Sequence, residues 1–349
     1  MSGPRVLLVT TGAANDGRGH VARELALATA LVGAGARVSM RMLRGSLTDA
    51  QASLAGALGV LVAEERTAAE TESGWSGNDA VVVDLPDPNE VADRLADERL
   101  VVFDDREHFR GRAAIVVQPS LAAWSGPARA DRVLAGYTWA PLRPGLRRAA
   151  GPRGLNTRDG LVVCFGGSDP ADVASRLVPL VADAIRPSVA PSDEARRAGD
   201  LDLRATSVIV GSGYAGALRP GPSWSVLRDP VDIDRRLAGS TVALIGAGTM
   251  KLELALLGVP TVSVAVADDQ LAVGPPFAAT GATRFLGDGR SIDPSLVARE
   301  VAGLLDDEPA RQRMTAAGRA TIDGRGAERL AAVILELAEG RTGDAGTRA

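Results

Sequence analysis

Three glycine-rich segments, each following a short aliphatic run, hold most of the residue types that could do chemistry. The first is Thr10-Thr11-Gly12-Ala13-Ala14-Asn15-Asp16-Gly17-Arg18-Gly19-His20, between Val6–Val9 and an Ala/Leu-rich stretch from Val21. It sets one of only two histidines in the chain where a strand hands over to a helix. A helix N-terminus favours the neutral imidazole, and a neutral imidazole can take a proton from a hydroxyl near pH 7. The alternative is a histidine that caps the helix or packs at the loop base.

The second segment is Gly166-Gly167-Ser168-Asp169-Pro170, after the strand-like Leu161–Phe165. Glycines let backbone N–H groups approach an anion, and a following helix adds its dipole. Pro170 suits a first helical turn. The same residues also make an ordinary capped turn. The third segment is Gly246-Ala247-Gly248-Thr249-Met250, between Val242–Ile245 and Lys251–Leu257. Glu253 falls on the first turn of that helix. A carboxylate there can accept hydrogen bonds from two ribose hydroxyls while the loop amides hold phosphate. Its plain alternative is a solvent-facing Glu favoured by the dipole.

Two further patterns were weighed. Gly211-Ser212-Gly213-Tyr214-Ala215-Gly216 matches a dinucleotide fingerprint letter for letter. That fingerprint needs a full helix next, and Pro220-Gly221-Pro222 cuts it short. Asp104-Asp105 ends a strand-like run, but no second acidic cluster completes a metal site. It reads as turn chemistry or a sugar-facing pair.

The elements that must position these residues alternate along the chain. Arg5–Val9, Arg37–Met42, Ala80–Val83, Leu100–Phe103 and Ala114–Val117 read as strands, with helices at His20–Val32 and Glu90–Ala96. Near-continuous apolar strands with helical crossovers indicate a parallel α/β sheet. Pro141-Leu142-Arg143-Pro144-Gly145 and Gly151-Pro152-Arg153-Gly154 interrupt the pattern. It restarts with strands Leu161–Phe165, Ser207–Val210, Val242–Ile245 and Thr261–Val264, then helices Leu296–Leu305, Pro309–Ile322 and Ala327–Leu337. The expected division is a first domain over 1–145, a linker over 146–158, a second domain over 159–340 and a tail over 341–349.

Composition narrows the function classes. The chain has 349 residues, 39 basic and 43 acidic, a net of −4. Bulk charge therefore does not draw it to nucleic acid or an anionic membrane. One cysteine, Cys164, excludes an internal disulfide and a Cys-based zinc site. Two histidines, His20 and His108, leave no His cluster for a metal. No apolar run reaches the roughly 18 residues of a membrane span. No signal peptide is evident, and a cytoplasmic location is expected.

Taken in order, these segments resemble one branch of the nucleotide-sugar glycosyltransferases. The branch comprises the UDP-sugar hydrolases of the pseudaminic acid pathway and the related spore-coat-polysaccharide proteins. The matching stretches are Gly17-x-Gly19-His20-x-x-Arg23 with Leu25-Ala26, Val101-Val102-Phe103-Asp104-Asp105, and Leu134-Ala135-Gly136-Tyr137 with Leu142-Arg143-Pro144. Phe165 to Pro170, and Ile245 to Gly248 through Glu253 to Gly258-Val259-Pro260 and Gln270, complete the set, from about residue 5 to 290.

The resemblance implies a GT-B fold, two Rossmann-like α/β domains facing a cleft. It implies a metal-independent enzyme without a cofactor that displaces UDP from the anomeric carbon of a UDP-sugar. Water would be the acceptor, as in the UDP-2,4-diacetamido-2,4,6-trideoxyhexose hydrolases. A GT-B transferase using an alcohol acceptor and a non-catalytic UDP-sugar binder are the alternatives. By residue, His20 would act as base. Gly166, Gly167, Ser168, Gly248, Thr249 and Met250 would hold the diphosphate, and Glu253 the ribose. Gly17, Gly19, Arg23, Asp84 and Gln270 would face the sugar. Asp269 stands where the family has Asn; a carboxylate accepts but does not donate, so Asp269 is a candidate proton acceptor. The partner expected is the UDP-sugar, with no nucleic acid and no integral membrane segment.

Overall fold

The computed structural model describes residues 3–13, 18–64, 75, 77–91, 99–126, 130–151, 158–185, 206–218 and 224–340. The chain divides into two compact units. One runs up to Pro144 and resumes at Gly324; the other is Gly145–Asp323.

The first unit is built on strands β1 (Arg5–Gly12), β2 (Arg37–Gly45), β3 (Leu61–Glu64), β4 (Ala80–Asp84), β5 (Leu100–Phe103), β6 (Ala113–Gln118) and β7 (Ala130–Ala135). They form a parallel sheet in the order β3-β2-β1-β4-β5-β6-β7. The central strands are buried along their length because helices or loops cover both faces, as a parallel sheet requires. Helix α1 (Gly19–Gly33) follows β1 and α2 (Asp49–Ala57) follows β2. In α1, Val21, Leu25, Ala28 and Leu31 recur at helical spacing and are buried in the core with Val6, Leu8 and Met40. Each of the Val, Leu and Met side chains among them, fully buried, contributes about 1.5–3 kcal/mol.

The second unit opens with the short helix α3 (Pro144–Ala149). Its strands are β8 (Leu161–Cys164), β9 (Thr206–Val210), β10 (Trp224–Arg228), β11 (Val242–Gly246), β12 (Thr261–Ala265) and β13 (Thr283–Asp288). The parallel order is β10-β9-β8-β11-β12-β13. Its helices are α4 (Val173–Ile185), α5 (Ile233–Gly239), α6 (Met250–Leu257), α7 (Asp268–Ala278), α8 (Pro294–Asp306) and α9 (Glu308–Thr321).

Helix α10 (Gly326–Ala338) corrects the expected boundary at 340. Leu330, Ala331, Ile334 and Leu337 are buried in the core of the first unit, where α10 lies against α1. A Cβ on Gly326 would fall 2.1 Å from the Ala140 carbonyl oxygen, so the chain returns in close contact with the first unit. Helical periodicity shows that Ala327–Leu337 has an apolar face; it does not show which core receives it. The expected helix Glu90–Ala96 begins as a single turn, Pro88–Glu90, and residues 92–98 lie outside the described residues.

Both sheets share one strand order. The first strand of each, β1 and β8, has the second on one side and the fourth on the other. The winding of each sheet therefore reverses between β1 and β4, and between β8 and β11. In open parallel sheets ligands bind outside the carboxyl ends of the strands at this switch point. Every glycine-rich segment singled out above, apart from Gly211–Gly216, lies at one of these two places.

Candidate active site

His20 is the second residue of α1, and Asp84 is the last residue of β4. The register sets Asp84 beside Thr10 of β1, so both flank the switch point of the first sheet. His20 Nδ1 lies 2.7 Å from Asp84 Oδ1. Arg23, one helical turn beyond His20, donates from Nε to Asp84 Oδ2 at 2.6 Å and from Nη2 to Asp84 Oδ1. Its third nitrogen, Nη1, donates to Asp105 Oδ2 at 2.8 Å. The Ser120 hydroxyl donates to Asp105 Oδ1 at 2.6 Å. The guanidinium stacks over Phe103, 4.6 Å from the ring centre. His20, Asp84, Arg23, Asp105 and Ser120 thus form one continuous chain of contacts.

Burial sets the protonation of this chain. Asp84 is fully buried, which alone would raise its pKa; the charges and hydrogen bonds of Arg23 and His20 outweigh burial and hold it at about 2. Asp84 is therefore ionised at neutral pH. Arg23 is raised above its ordinary value: burial opposes its charge, and Asp105 and Asp84 more than compensate. An ionised carboxylate can only accept, so the close contact at Asp84 Oδ1 needs a proton on His20 Nδ1. In the neutral ring the lone pair is then on Nε2. The His20 side chain is 17% exposed, less buried than Arg23 and Asp84 and more buried than Asp105.

The next residue, Glu24, is fully buried, and among the described residues neither of its oxygens has a hydrogen-bond partner. Burial first, and the negative charge of Asp84 second, push its carboxyl well above the usual range. Its carboxyl thus holds its proton more tightly than that of the neighbouring Asp84.

The switch point of the second sheet is built from backbone. After β11, the Lys251 ammonium donates to the Ala247 carbonyl at 3.0 Å and approaches that of Gly248 at 3.4 Å. In a planar trans peptide the C=O of one residue and the N–H of the next point in opposite directions. The Gly248 and Thr249 N–H groups therefore face away from the lysine. Among the described residues neither has an acceptor, and Thr249 adds no side-chain cap to α6. Gln270 braces this turn: its Oε1 accepts from the Val266 N–H at 3.1 Å, and its Nε2 lies against Gly248. Glu253 lies buried on the first turn of α6.

The turn after β8 differs. Gly166 adopts φ +102°, a backbone conformation open to glycine. Asp169 then accepts from the Val173 and Ala174 N–H groups at 3.0 and 2.8 Å. The first amides of α4 are already occupied by a carboxylate, so the dipole of α4 is not open to a phosphate as the residue pattern suggested. Gly166, Gly167 and Ser168 remain candidates through their own amides alone. The Gly211–Gly216 segment braces them. A Cβ on Gly211 would sit 2.2 Å from the Gly167 carbonyl oxygen. No helix follows among the described residues of that segment, which makes a turn and then continues as irregular chain up to Leu218.

Several expected roles move. Arg23 and Asp84, expected to face a sugar, are buried, and their polar atoms are committed to each other. They stand behind His20 as its support. Gly19 is the first residue of α1, and Gly17 lies outside the described residues. Met250 opens α6 beside Thr249. Asp269 is exposed on the first turn of α7, next to Asp268, which pairs with Arg290. Asp104 accepts from the backbone of His108 and Phe109, a turn-forming role.

Ser120, Lys251 and Glu24 were not anticipated as parts of the site. For Asp105 the residue pattern suggests only turn chemistry or a sugar-facing residue, and the structure instead pairs it with Arg23. Nothing local in the sequence marks Ser120 or the buried Glu24.

No protein-family model matches the chain. The spore coat polysaccharide biosynthesis protein SpsG of Bacillus subtilis (strain 168) is 23% identical over 185 residues, 51% of this chain and 50% of SpsG. The chain thus matches about half the length of that relative. Among solved structures, the glycosyltransferase of kitacinnamycin aligns with a TM-score of 0.62 at 15% identity, over 97% of this chain and 100% of that one. The spinosyn rhamnosyltransferase SpnG, solved with thymidine diphosphate, aligns with a TM-score of 0.58 at 14% identity, over 97% and 100%. The chain therefore has the GT-B glycosyltransferase fold, with two parallel-sheet Rossmann-like units. Among the described residues no helix is long and apolar enough to cross a membrane.

Proposed function

We propose that this chain is a nucleotide-sugar enzyme that displaces a nucleoside diphosphate, with UDP the first candidate, from the anomeric carbon of a sugar. The observation that carries the reading is the orientation of His20. Its Nδ1 is engaged by a buried, ionised Asp84, and its Nε2 is left as a base. As an acceptor hydroxyl attacks the anomeric carbon, Nε2 takes its proton, and Asp84 stabilises the imidazolium that forms. The departing diphosphate carries negative charge. The Gly248 and Thr249 amides at the positive end of α6 stabilise it, and Glu253 accepts from the ribose hydroxyls.

The acceptor is an alcohol in this reading. The relatives named above include two glycosyltransferases and a polysaccharide biosynthesis protein, which favours transfer over hydrolysis. Water would use the same base, and the product decides between the two. Asp269 is the position proposed to influence that choice: Asp269→Asn is expected to leave UDP binding intact and to change the ratio of free sugar to transferred sugar.

The test has two stages. UDP at about 100 times its Kd should stabilise the protein by roughly 2.7 kcal/mol, seen as a rise in Tm, and NAD should not. UDP-sugars that bind are then incubated with and without alcohol acceptors, and the products are identified. Stabilisation by NAD and none by UDP would overturn the reading. Binding of UDP-sugars without any consumption would reduce the protein to a binder.

A further inference from the structure

The His20 ring faces two competitors at one atom. Asp84 Oδ1 lies 2.7 Å from Nδ1, and Arg23 Nη2 lies 3.3 Å from the same Nδ1. The two ask for opposite tautomers. Asp84 needs a proton on Nδ1. A guanidinium N–H pointed at Nδ1 needs the lone pair there, which would move the proton to Nε2 and abolish the base. Free imidazole side chains prefer the Nε2–H form, so the useful tautomer has to be imposed by the hydrogen bond at the other nitrogen.

What keeps Arg23 from winning is on its far side. Nη1 is anchored on Asp105 at 2.8 Å, Asp105 is fixed by the Ser120 hydroxyl at 2.6 Å, and Phe103 supports the guanidinium plane. Gln118, whose Oε1 accepts from the Ser120 and Leu121 N–H groups at 2.8 and 2.9 Å, fixes the turn that carries Ser120. With Nη1 on Asp105, and Nε and Nη2 spanning both oxygens of Asp84, the planar fork has no freedom to rotate toward the histidine. Charge points the same way. Asp84, Arg23 and Asp105 sum to one negative charge behind His20. Without Asp105 the sum is zero, and nothing is left to balance an imidazolium. Glu24 does not replace it as an anchor, since neither of its oxygens has a hydrogen-bond partner among the described residues.

We propose that Asp105, held by Ser120, is a positioning residue that fixes Arg23 and thereby locks His20 in its Nδ1–H tautomer. Asp105 is 28% exposed and makes no contact with His20 itself, so it acts through Arg23. The inference rests on the reading of His20 as the base. Its test does not need a substrate, so its failure is distinct from a failure to find sugar transfer.

The chain has only two histidines, which makes the test direct. The protein is labelled with ring-15N histidine, and His108→Gln assigns the signals by difference. At a pH where the ring is neutral, the wild type should show a pyrrole-type Nδ1 and a pyridine-type Nε2 at His20. Asp105→Asn should raise the Nε2–H population severalfold, and Ser120→Ala should raise it less, in the same direction. Ser120→Ala keeps the charge and serves as the readout if Asp105→Asn fails to fold. Where turnover is measurable, both should lower kcat more than they raise KM. A wild-type ring in the Nε2–H form, or variants whose Nδ1–H population equals that of the wild type, would overturn the proposal.

Discussion

The two units share a strand order and present different kinds of groups at its switch point. In the first, the switch point is filled by ionisable side chains that satisfy one another, leaving one imidazole nitrogen for outside use. In the second, the switch point is lined by backbone amides, turned outward by a buried lysine that holds the carbonyls behind them. A side-chain site can supply a base, because it can change protonation. A backbone site can hold an anion without a counter-charge to titrate, because its donors are fixed dipoles.

The sharpest way to break this comparison is to remove the base. His20→Ala should lower turnover by roughly 10²-fold or more, with UDP affinity unchanged, since no nucleotide-holding group is touched. Turnover assays and calorimetry on the same preparation check both halves. Loss of UDP binding in this variant would erase the division of roles.

The reciprocal change is Glu253→Ala. Charged hydrogen bonds to hydroxyls are worth about 1.5–3 kcal/mol, so UDP affinity should fall by roughly 10- to 100-fold. Inorganic pyrophosphate, which has no ribose, should bind as before. Equal losses for both would mean that Glu253 supports the fold of α6 and touches no ribose.

A smaller effect is expected behind the second-unit loops. Gly211→Ala places a methyl group against the Gly167 carbonyl. Such overpacking costs about 1–3 kcal/mol, measurable by urea unfolding. The shifted Gly166–Ser168 turn should weaken UDP by several-fold while leaving the His20 tautomer alone.

The smallest effect concerns Glu24. Burial first, and the charge of Asp84 second, raise the Glu24 carboxyl in the folded protein above its value in the unfolded chain. Its contribution is fully present below the unfolded pKa and is lost as pH rises through the folded one, so wild-type stability declines toward high pH. Glu24→Gln should therefore be more stable than wild type at pH 8, with the gap closing as pH falls to about 4. Asp84 has the opposite sign. Its lowered pKa stabilises the fold above the unfolded value near 3.9, and that contribution disappears as pH falls through about 2. A Glu24→Gln variant no more stable at pH 8 than at pH 4, relative to wild type, would contradict the upward shift.

The contrast between the units also explains what could be read from residues alone. Strands buried on both faces, such as Ala80–Asp84 and Val242–Gly246, announce themselves as unbroken apolar runs. Edge strands do not: Leu61–Glu64 is exposed along its length, and Trp224–Arg228 is half-buried, so neither carries a core signature. His20, Gly248 and Glu253 were visible because glycine-flanked turns and helix starts are local patterns. Asp105 and Ser120 act through contacts between residues 82 and 15 positions apart in the chain. Such partners are chosen by sheet order, which no local spacing encodes. Arg23 was visible as a residue but not in its role, because spacing does not tell a buried arginine from one that greets a ligand.

Amide hydrogen exchange with and without saturating UDP tests the central claim most directly. If backbone donors of the second unit hold the diphosphate, exchange should slow in peptides covering Ala247–Glu253, with a lesser effect at Phe165–Ser168. Peptides covering His20–Leu25 should keep their rates. Protection confined to the first unit, or none at saturation, would contradict the account.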